Sequence, residues 1–262
     1  MKLSTGMLGD VLIAFGTLPA SLPARFADSP WAAADSGEGW QLFCCAPCAD
    51  WRGTPLTRLE QDGWLVLSLG EFAPAAHSVV DELELTRQVA AFHGRALVLA
   101  WDALQRHWHA WTDRFGTLHA YRAAGVLSTF SPAAAAFTPR SLDWVALAGF
   151  FACGFFPGER TQLEGLSILR PSTHYVLDSR GNLLRQERIV AWQHAPDTKR
   201  TYDETVDAFG RIFLEVMTDA LKGSPVALPL SGGLDSRSTA AAVTPSLVAN
   251  AWAYSYGYTA DS

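Results

Sequence analysis

The chain is short of basic charge. Its 262 residues carry 20 Lys and Arg against 26 Asp and Glu, a formal net charge of −6. No basic run or patch interrupts that balance, so there is no footprint for neutralising nucleic-acid phosphates. No stretch of 18 or more uncharged apolar residues occurs, which leaves no helical membrane span. At the N-terminus Lys2 precedes an apolar stretch over residues 7–15 that Asp10 interrupts. That is too short and broken for a secretion signal, and a cytoplasmic protein is the default expectation. Cysteine is scarce, at four residues, with none before Cys44. Cys44, Cys45 and Cys48 form a CC-x-x-C cluster that imitates three zinc ligands. A structural zinc site wants two well-separated ligand pairs, so free or buried thiols are expected here. Cys153, flanked by Phe150, Phe151, Phe155 and Phe156, is expected to pack as a small hydrophobe. No internal repeat or low-complexity run is present apart from the alanines at 133–136.

What the chain does have is apolar material. With 49% hydrophobic and 18% charged residues, it cannot be wholly disordered and can fill one large core or two ordinary ones. Up to about residue 190 it reads as short strands at 64–69, 96–101, 107–112, 118–122 and 175–177, with glycines in the connections. Helical patches are expected over 79–92 and over 141–153, the second with Ser141 as N-cap and Gly154 as its stop. The polar segment 193–200 reads as a linker. Thr201-Tyr202-Asp203-Glu204 is then a capping box. The helix it opens sets Val206, Phe209, Ile212, Phe213, Val216 and Ala220 on one face. A strand is expected over 226–230 and another over 247–252.

Between those two strands lies the most specific motif, Ser231-Gly232-Gly233-Leu234-Asp235-Ser236, followed by the helix-forming run from Arg237 to Ala242. Strand, glycine turn and helix together make a phosphate binder. The glycines turn backbone N–H groups toward one point, and the helix start adds the positive end of its dipole. Ser231, Ser236 and Ser238 offer further donors, and Asp235 can hold magnesium. The lysine of G-x-x-x-x-G-K-[ST] is missing, so this is a different phosphate loop. Arg237 either reaches phosphate or faces solvent.

Two other groups carry chemistry in the sequence. His107 and His109 lie two apart on the same face of a strand, with His119 expected on the next, and three imidazoles on one sheet face could bind zinc; the family resemblance given below implies an exposed or interface hairpin instead. Asp113 and Arg114 are expected to make a structural ion pair at a hydrogen-bonded turn rather than a catalytic pair.

The SGGLDS run resembles the pyrophosphate-binding loop of the ATP pyrophosphatases, and its wording is closest to the asparagine synthetase family. Asp113-Arg114-Phe115-Gly116, the stretch 148–166 and residues 168–175 resemble that family in the same order. The first 60 or so residues match poorly. The resemblance implies an N-terminal αββα Ntn-hydrolase-like sandwich over residues 1–192, a linker at 193–200, and over 201–262 the start of a parallel-sheet adenine-nucleotide α-hydrolase-like domain. One βαβ unit cannot enclose a core, so a truncated product or a piece of a longer protein is expected. ATP and Mg2+ are the implied cofactors. Ser231, Gly232, Gly233, Leu234, Asp235 and Ser236 would bind pyrophosphate, with Asp235 on the metal.

The amidotransferase half of the family uses a cysteine directly after the initiator methionine, a thiol suited to attack at neutral pH. Here that position is Lys2. The family's Asn-Gly-Glu oxyanion segment corresponds to Leu69-Gly70-Glu71, without the asparagine donor, a loss of typically 10²–10³ in rate. Glutamine hydrolysis is therefore not expected. Relatives with an inactive amidotransferase domain include β-lactam synthetases and lasso-peptide cyclases. The expectation is an ATP-dependent amide-forming ligase that works through an acyl-adenylate, with a carboxylate and an amine substrate, small molecule or peptide. A homodimer or a biosynthetic partner protein is left open. The alternatives are a glutamine-hydrolysing asparagine synthetase homologue and a non-catalytic remnant or partner-binding scaffold.

Overall fold

The longest apolar runs in the first part of the chain become strands covered on both faces. The computed structural model describes residues 2–16, 31–45, 54–75, 80–139, 141–221, 225–243 and 251–255. Two units divide the chain, residues 1–192 and 193–262.

In the first unit, β1 (Lys2–Leu8), β5 (Thr54–Gln61), β6 (Trp64–Gly70), β7 (Ala96–Asp102), β8 (His107–Thr112), β12 (Thr173–Asp178) and β13 (Leu183–Arg188) form a seven-stranded sheet in that order. A six-stranded sheet runs β11 (Ser167–Ile168), β9 (Tyr121–Ala123), β10 (Val126–Ser128), β2 (Val11–Phe15), β4 (Trp40–Cys45), β3 (Trp31–Gly37). Neighbours within both sheets pair antiparallel.

Alternation along each strand explains the packing. Leu65, Leu67 and Leu69 of β6, Leu97, Leu99 and Trp101 of β7, and Trp108 and Ala110 of β8 turn inward. They meet Val11, Ile13 and Phe15 of β2 and Trp40 and Leu42 of β4 in the core between the sheets. The outer face of the seven-stranded sheet presents Val66, Val98, Ala100 and Trp111, which Leu85 and Val89 of helix α1 (Glu82–Ala91) cover. Leu12, Ala14 and Val126 on the outer face of the other sheet pack against Ala133 and Ala134 of the short helix α2 (Ser131–Ala135). Strands buried on both faces read as unbroken apolar runs, which is why β6 and β7 show no polar alternation.

Helix ends follow the chemistry of their caps. Asp81 accepts from the Glu84 amide at 2.7 Å and opens α1. Helix α3 (Trp144–Cys153) stops at Gly154, which adopts φ 79. Its N-cap is Asp143 and not Ser141, because Asp143 accepts from the Ala146 amide at 2.9 Å while the Ser141 hydroxyl donates to Glu164. Cys153 does not pack as a hydrophobe either: at the last turn of a helix that buries Ala146 alone, it is exposed. The strand expected over 118–122 is replaced by the shorter β9 at Tyr121–Ala123.

Asp113 ties three strands together. Its buried carboxylate accepts from the amides of Ala96 (3.0 Å), Phe115 (2.9 Å) and Thr117 (3.2 Å) and from the Thr117 hydroxyl (2.5 Å). Its carbonyl accepts from Ser172, next to β12. No ion pair joins it to Arg114, which donates instead to the Ala90 carbonyl at the end of α1. The hydrogen-bonded turn expected here is present; the ion pair is not.

In the second unit, helix α4 (Tyr202–Leu221) opens on the capping box, with the Thr201 amide 2.8 Å from Glu204 and the Glu204 amide 3.3 Å from the Thr201 hydroxyl. Strand β14 (Val226–Pro229) pairs parallel with β15 (Ala251–Tyr254), and helix α5 (Leu234–Ala242) lies between them in sequence. Residues 247–250 of the strand expected at 247–252 lie outside the described residues.

Replacing Asp113 by alanine leaves buried amides without an acceptor, at a cost of about 3 kcal/mol. Urea denaturation measures it; a loss below about 1 kcal/mol would show that the turn holds without its carboxylate.

Candidate functional sites

The glycine loop has the local geometry its residues demand. Strand β14 ends at Pro229, and the Leu230 amide still donates to the Tyr254 carbonyl at 2.8 Å, so the strand direction carries into the loop. Gly232 takes φ 77, in the left-handed region, with open space where a side chain would stand; glycine is the residue for that conformation. Gly233 then caps α5. The hydroxyls of Ser231 and Ser236 lie 3.2 Å apart, and Ser231 Oγ accepts from the Gly233 amide at 3.4 Å. The loop thus folds back on the first turn of the helix, whose leading N–H groups have no intrahelical acceptor. Leu234 and Asp235 are exposed on that turn. Arg237 is exposed on the helix, as one of its two expected roles has it, and its Nε also donates to the Gly233 carbonyl at 3.3 Å. Open space at Gly232, serine hydroxyls and an acidic side chain on a helix N-terminus suit a magnesium-bound phosphate.

Lys2 and Leu69, the two positions that the sequence resemblance sets against an amidotransferase nucleophile and oxyanion donor, do not meet. Lys2 pairs with Glu60, which pairs with Leu65, whereas Leu69 pairs with Leu56, which pairs with Gly6. They therefore stand four residues apart along the strands, about 13 Å, and two strands apart across the sheet, about 10 Å. Leu69 is itself a core residue. Gly70 beside it has φ 97, and an added Cβ would sit 2.2 Å from the Arg95 carbonyl, so that position admits only glycine. Glu71 is held by the Arg95 guanidinium at 2.8 Å.

Cys44 and Cys45 are consecutive on β4 and so point to opposite faces. Cys44 packs against the inter-sheet core, and burial pushes its thiol up to about 11. Cys48 lies outside the described residues. Among the described residues no group of three His, Cys, Asp or Glu is arranged to hold a metal.

The histidines form a site that differs from the expected one. His119 precedes β9 of the other sheet and does not join His107 and His109. His109 is also not on an exposed hairpin, being 1% exposed. Its Nδ1 lies 3.0 Å from Nε2 of His174 on the adjacent strand β12. His174 stacks on Trp111 with centroids 4.4 Å apart and planes 3° from parallel. Glu82, at the first turn of α1, places its carboxylate oxygens 4.0 Å from His109 Nδ1 and 3.9 Å from His174 Nδ1, and it pairs with Arg185. Burial holds His109 down to about 4 and His174 down to about 3, with the Arg185 charge acting the same way. Both rings are therefore neutral at neutral pH. His174 was invisible as a partner in the sequence because 65 residues separate it from His109; only alternation on β12 hints that it shares an outer face with Val176.

No family model matches the sequence, and no curated protein matches it by sequence. Among solved structures, the chain is similar to a glutamine phosphoribosylpyrophosphate (PRPP) amidotransferase from B. subtilis, complexed with ADP and GMP. The identity is 11% and the TM-score 0.36, over 94% of this chain and 65% of that one. The chain thus spans less than two thirds of that protein's length, and a likeness this distant carries no inference about activity.

Acid is the measurable handle on the histidine pair. Both rings bind protons more weakly folded than unfolded, where the ordinary value is 6.5. Below that value the unfolded chain takes up protons that the folded one refuses, so stability falls as pH is lowered. The denaturation midpoint of the protein should decline from about pH 6.5 toward pH 4, and the double variant His109→Phe, His174→Phe should flatten the decline. Equal slopes for the two proteins would show that other groups cause it.

Proposed function

We propose that the chain belongs to an ATP-dependent amide-forming ligase of the asparagine synthetase type, with an amidotransferase half that does not hydrolyse glutamine. The observation that carries this reading is the loop itself: strand, Ser231, Gly232 at positive φ, Gly233 as cap, and Asp235 on the first turn of α5. In the proposed reaction a substrate carboxylate attacks the α-phosphorus of ATP and pyrophosphate leaves. An amine then attacks the acyl carbon of the acyl-adenylate and AMP leaves, giving an amide. Backbone N–H groups of the loop and helix start, with the hydroxyls of Ser231 and Ser236, would hold the pyrophosphate oxygens. Asp235 would hold a magnesium ion, whose chemistry there would be to offset charge on those oxygens. Leu234 would contribute its backbone only, since its side chain is apolar and 75% exposed.

The wide separation of Lys2 from Leu69 supports the inactive amidotransferase half and weighs against a glutamine-hydrolysing homologue. A partner-binding scaffold remains the second reading, and α4 favours it: Val206, Phe209, Ile212 and Val216 are all exposed along one face.

Calorimetric titration with Mg-ATP and with Mg-pyrophosphate tests the proposal. The chain should bind both, and Asp235→Ala should weaken binding by about tenfold or more. Binding should be followed by pyrophosphate exchange into ATP that requires a carboxylate, with no glutamate released from glutamine. Absence of nucleotide and pyrophosphate binding by the folded protein would remove the ligase reading and leave the scaffold.

A further inference from the structure

A cavity of about 460 Å³ lies at the β12–β13 edge of the seven-stranded sheet. Gln186 and Arg188 of β13, Thr173 of β12, and Gly158, Arg170 and Pro171 from the connecting segments line it. Alternation along β13 places its two lining residues. Arg185 and Glu187 turn to the outer face, where Arg185 meets Glu82 of α1. Gln186 and Arg188 therefore turn to the inner face. There Arg188 stands opposite Thr173, and Gln186 opposite Tyr175, a residue of the inter-sheet core.

The lining carries two cations and no carboxylate, in a chain whose net charge is −6. Arg188 makes no ion pair and no side-chain hydrogen bond among the described residues. Arg170 is held on one edge only. Its Nε lies 3.1 Å from Glu159 Oε1, and its two terminal nitrogens make no hydrogen bond among the described residues. The same Glu159 oxygen accepts from the Tyr175 hydroxyl at 2.9 Å and from Gln186 Nε2 at 2.7 Å. Three donors on one oxygen fix that carboxylate, and the carboxylate fixes the guanidinium, so Arg170 is oriented before a ligand arrives. Glu159 offsets one positive charge and leaves the other. Two guanidinium groups on one cavity repel each other, and an anion between them turns that repulsion into attraction. Gly158 adds room: it takes φ 68, with open space where a side chain would stand.

We propose that this cavity binds a phosphate dianion, free or esterified to a small molecule. A carboxylate brings one charge and two oxygens, which a single guanidinium fork satisfies. A phosphate group brings close to two charges and three oxygens, enough for Arg170 and Arg188 together. The terminal nitrogens of Arg170 and the guanidinium of Arg188 donate to those oxygens. The cavity exceeds a bare phosphate and falls in the size range of sites for small organic ligands. Room therefore remains beside Pro171 and Gly158 for the organic part of an ester. The site is built from first-unit residues alone, and it uses guanidinium groups where the glycine loop offers backbone N–H groups and a magnesium ligand.

The test is calorimetric titration of the full chain with inorganic phosphate, glucose 6-phosphate and propionate, without magnesium. The glycine loop is silenced first by Gly232→Val, which strains a backbone at φ 77 that a β-branched residue does not adopt. In that background both phosphate probes should saturate, more weakly at higher salt, and propionate should bind about tenfold less tightly. Arg188 and Arg170 are exposed, so replacing them leaves the core intact. Arg188→Gln and Arg170→Gln should each weaken the phosphate probes by about tenfold. Arg180→Gln removes an equal charge from the β12–β13 turn and should leave binding unchanged. Tighter binding of glucose 6-phosphate identifies an ester as the occupant, and equal binding of the two identifies free phosphate. Three results would overturn the proposal: no saturation by either phosphate probe at tens of millimolar, tighter binding of propionate, or equal weakening by Arg180→Gln. Phosphate binding that vanishes with Gly232→Val belongs to the glycine loop, which sinks this site and leaves the ligase reading standing.

Discussion

Burial of the seven-stranded sheet on both faces is the constraint from which the rest of the first unit follows. Each large apolar side chain withdrawn from water contributes roughly 1.5–3 kcal/mol, and β6, β7 and β8 withdraw residues on both sides at once. Every polar group carried into those strands must then find its partner inside the protein. Ser68 donates to the Phe72 carbonyl at 2.6 Å, and the Trp111 indole donates to the Thr86 hydroxyl at 2.8 Å. The second of these, with Leu85 and Val89, sets the position of α1 over the sheet. The histidine pair meets that requirement in part, His109 Nδ1 with His174 Nε2, and leaves His109 Nε2 buried without a partner; the pair stays neutral because an uncompensated charge at that depth is more costly still.

Local chemistry was readable in the sequence, and long-range pairing was not. The β7–β8 hairpin is spelled out by two apolar stretches around Ala103-Leu104-Gln105-Arg106. The Thr201–Glu204 box and the glycine stop at Gly154 act within a few residues of themselves. Gly232 and Gly233 mark a turn because only backbone conformation is at stake. Strand order belongs to the whole sheet. Nothing near Lys2 says that β1 lies outside β5, so the distance between Lys2 and Leu69 could not be read from either residue. His119 illustrates the same limit, because the spacing of ten from His109 does not reveal a change of sheet between them. Asp143 and Ser141 were both competent caps by type, and the choice fell to Glu164, which takes the Ser141 hydroxyl. Cys153 reads as buried from its aromatic neighbours in sequence, yet Phe150, Phe151 and Phe155 are themselves exposed and cover nothing.

The two units place chemistry in different physical settings. In the first, the unusual groups sit beneath packed strands, where displacing a side chain disturbs a core. In the second, the described residues bury Val226 and Ala242, while the glycine loop and the start of α5 stand in solvent. A loop that must admit a polyanion and release it gains from that accessibility, because its N–H groups and hydroxyls are not committed to a core. Its order comes from short-range contacts instead: one serine pair, one arginine on a glycine carbonyl, and one parallel strand neighbour.

The contact between the two sheets has an optical consequence. Trp40 comes from the six-stranded sheet, and Trp101 and Trp108 come from the seven-stranded one. Their rings lie 5.6 and 5.0 Å from Trp40, the second pair edge to face. Trp101 and Trp108, 5.8 Å apart within one sheet, form a coupled pair on their own, and Trp40 adds two couplings that exist only when the sheets meet, which changes the dichroic signal of the indoles. The molecule therefore carries a built-in reporter for the moment its two halves close, separate from any signal of strand formation.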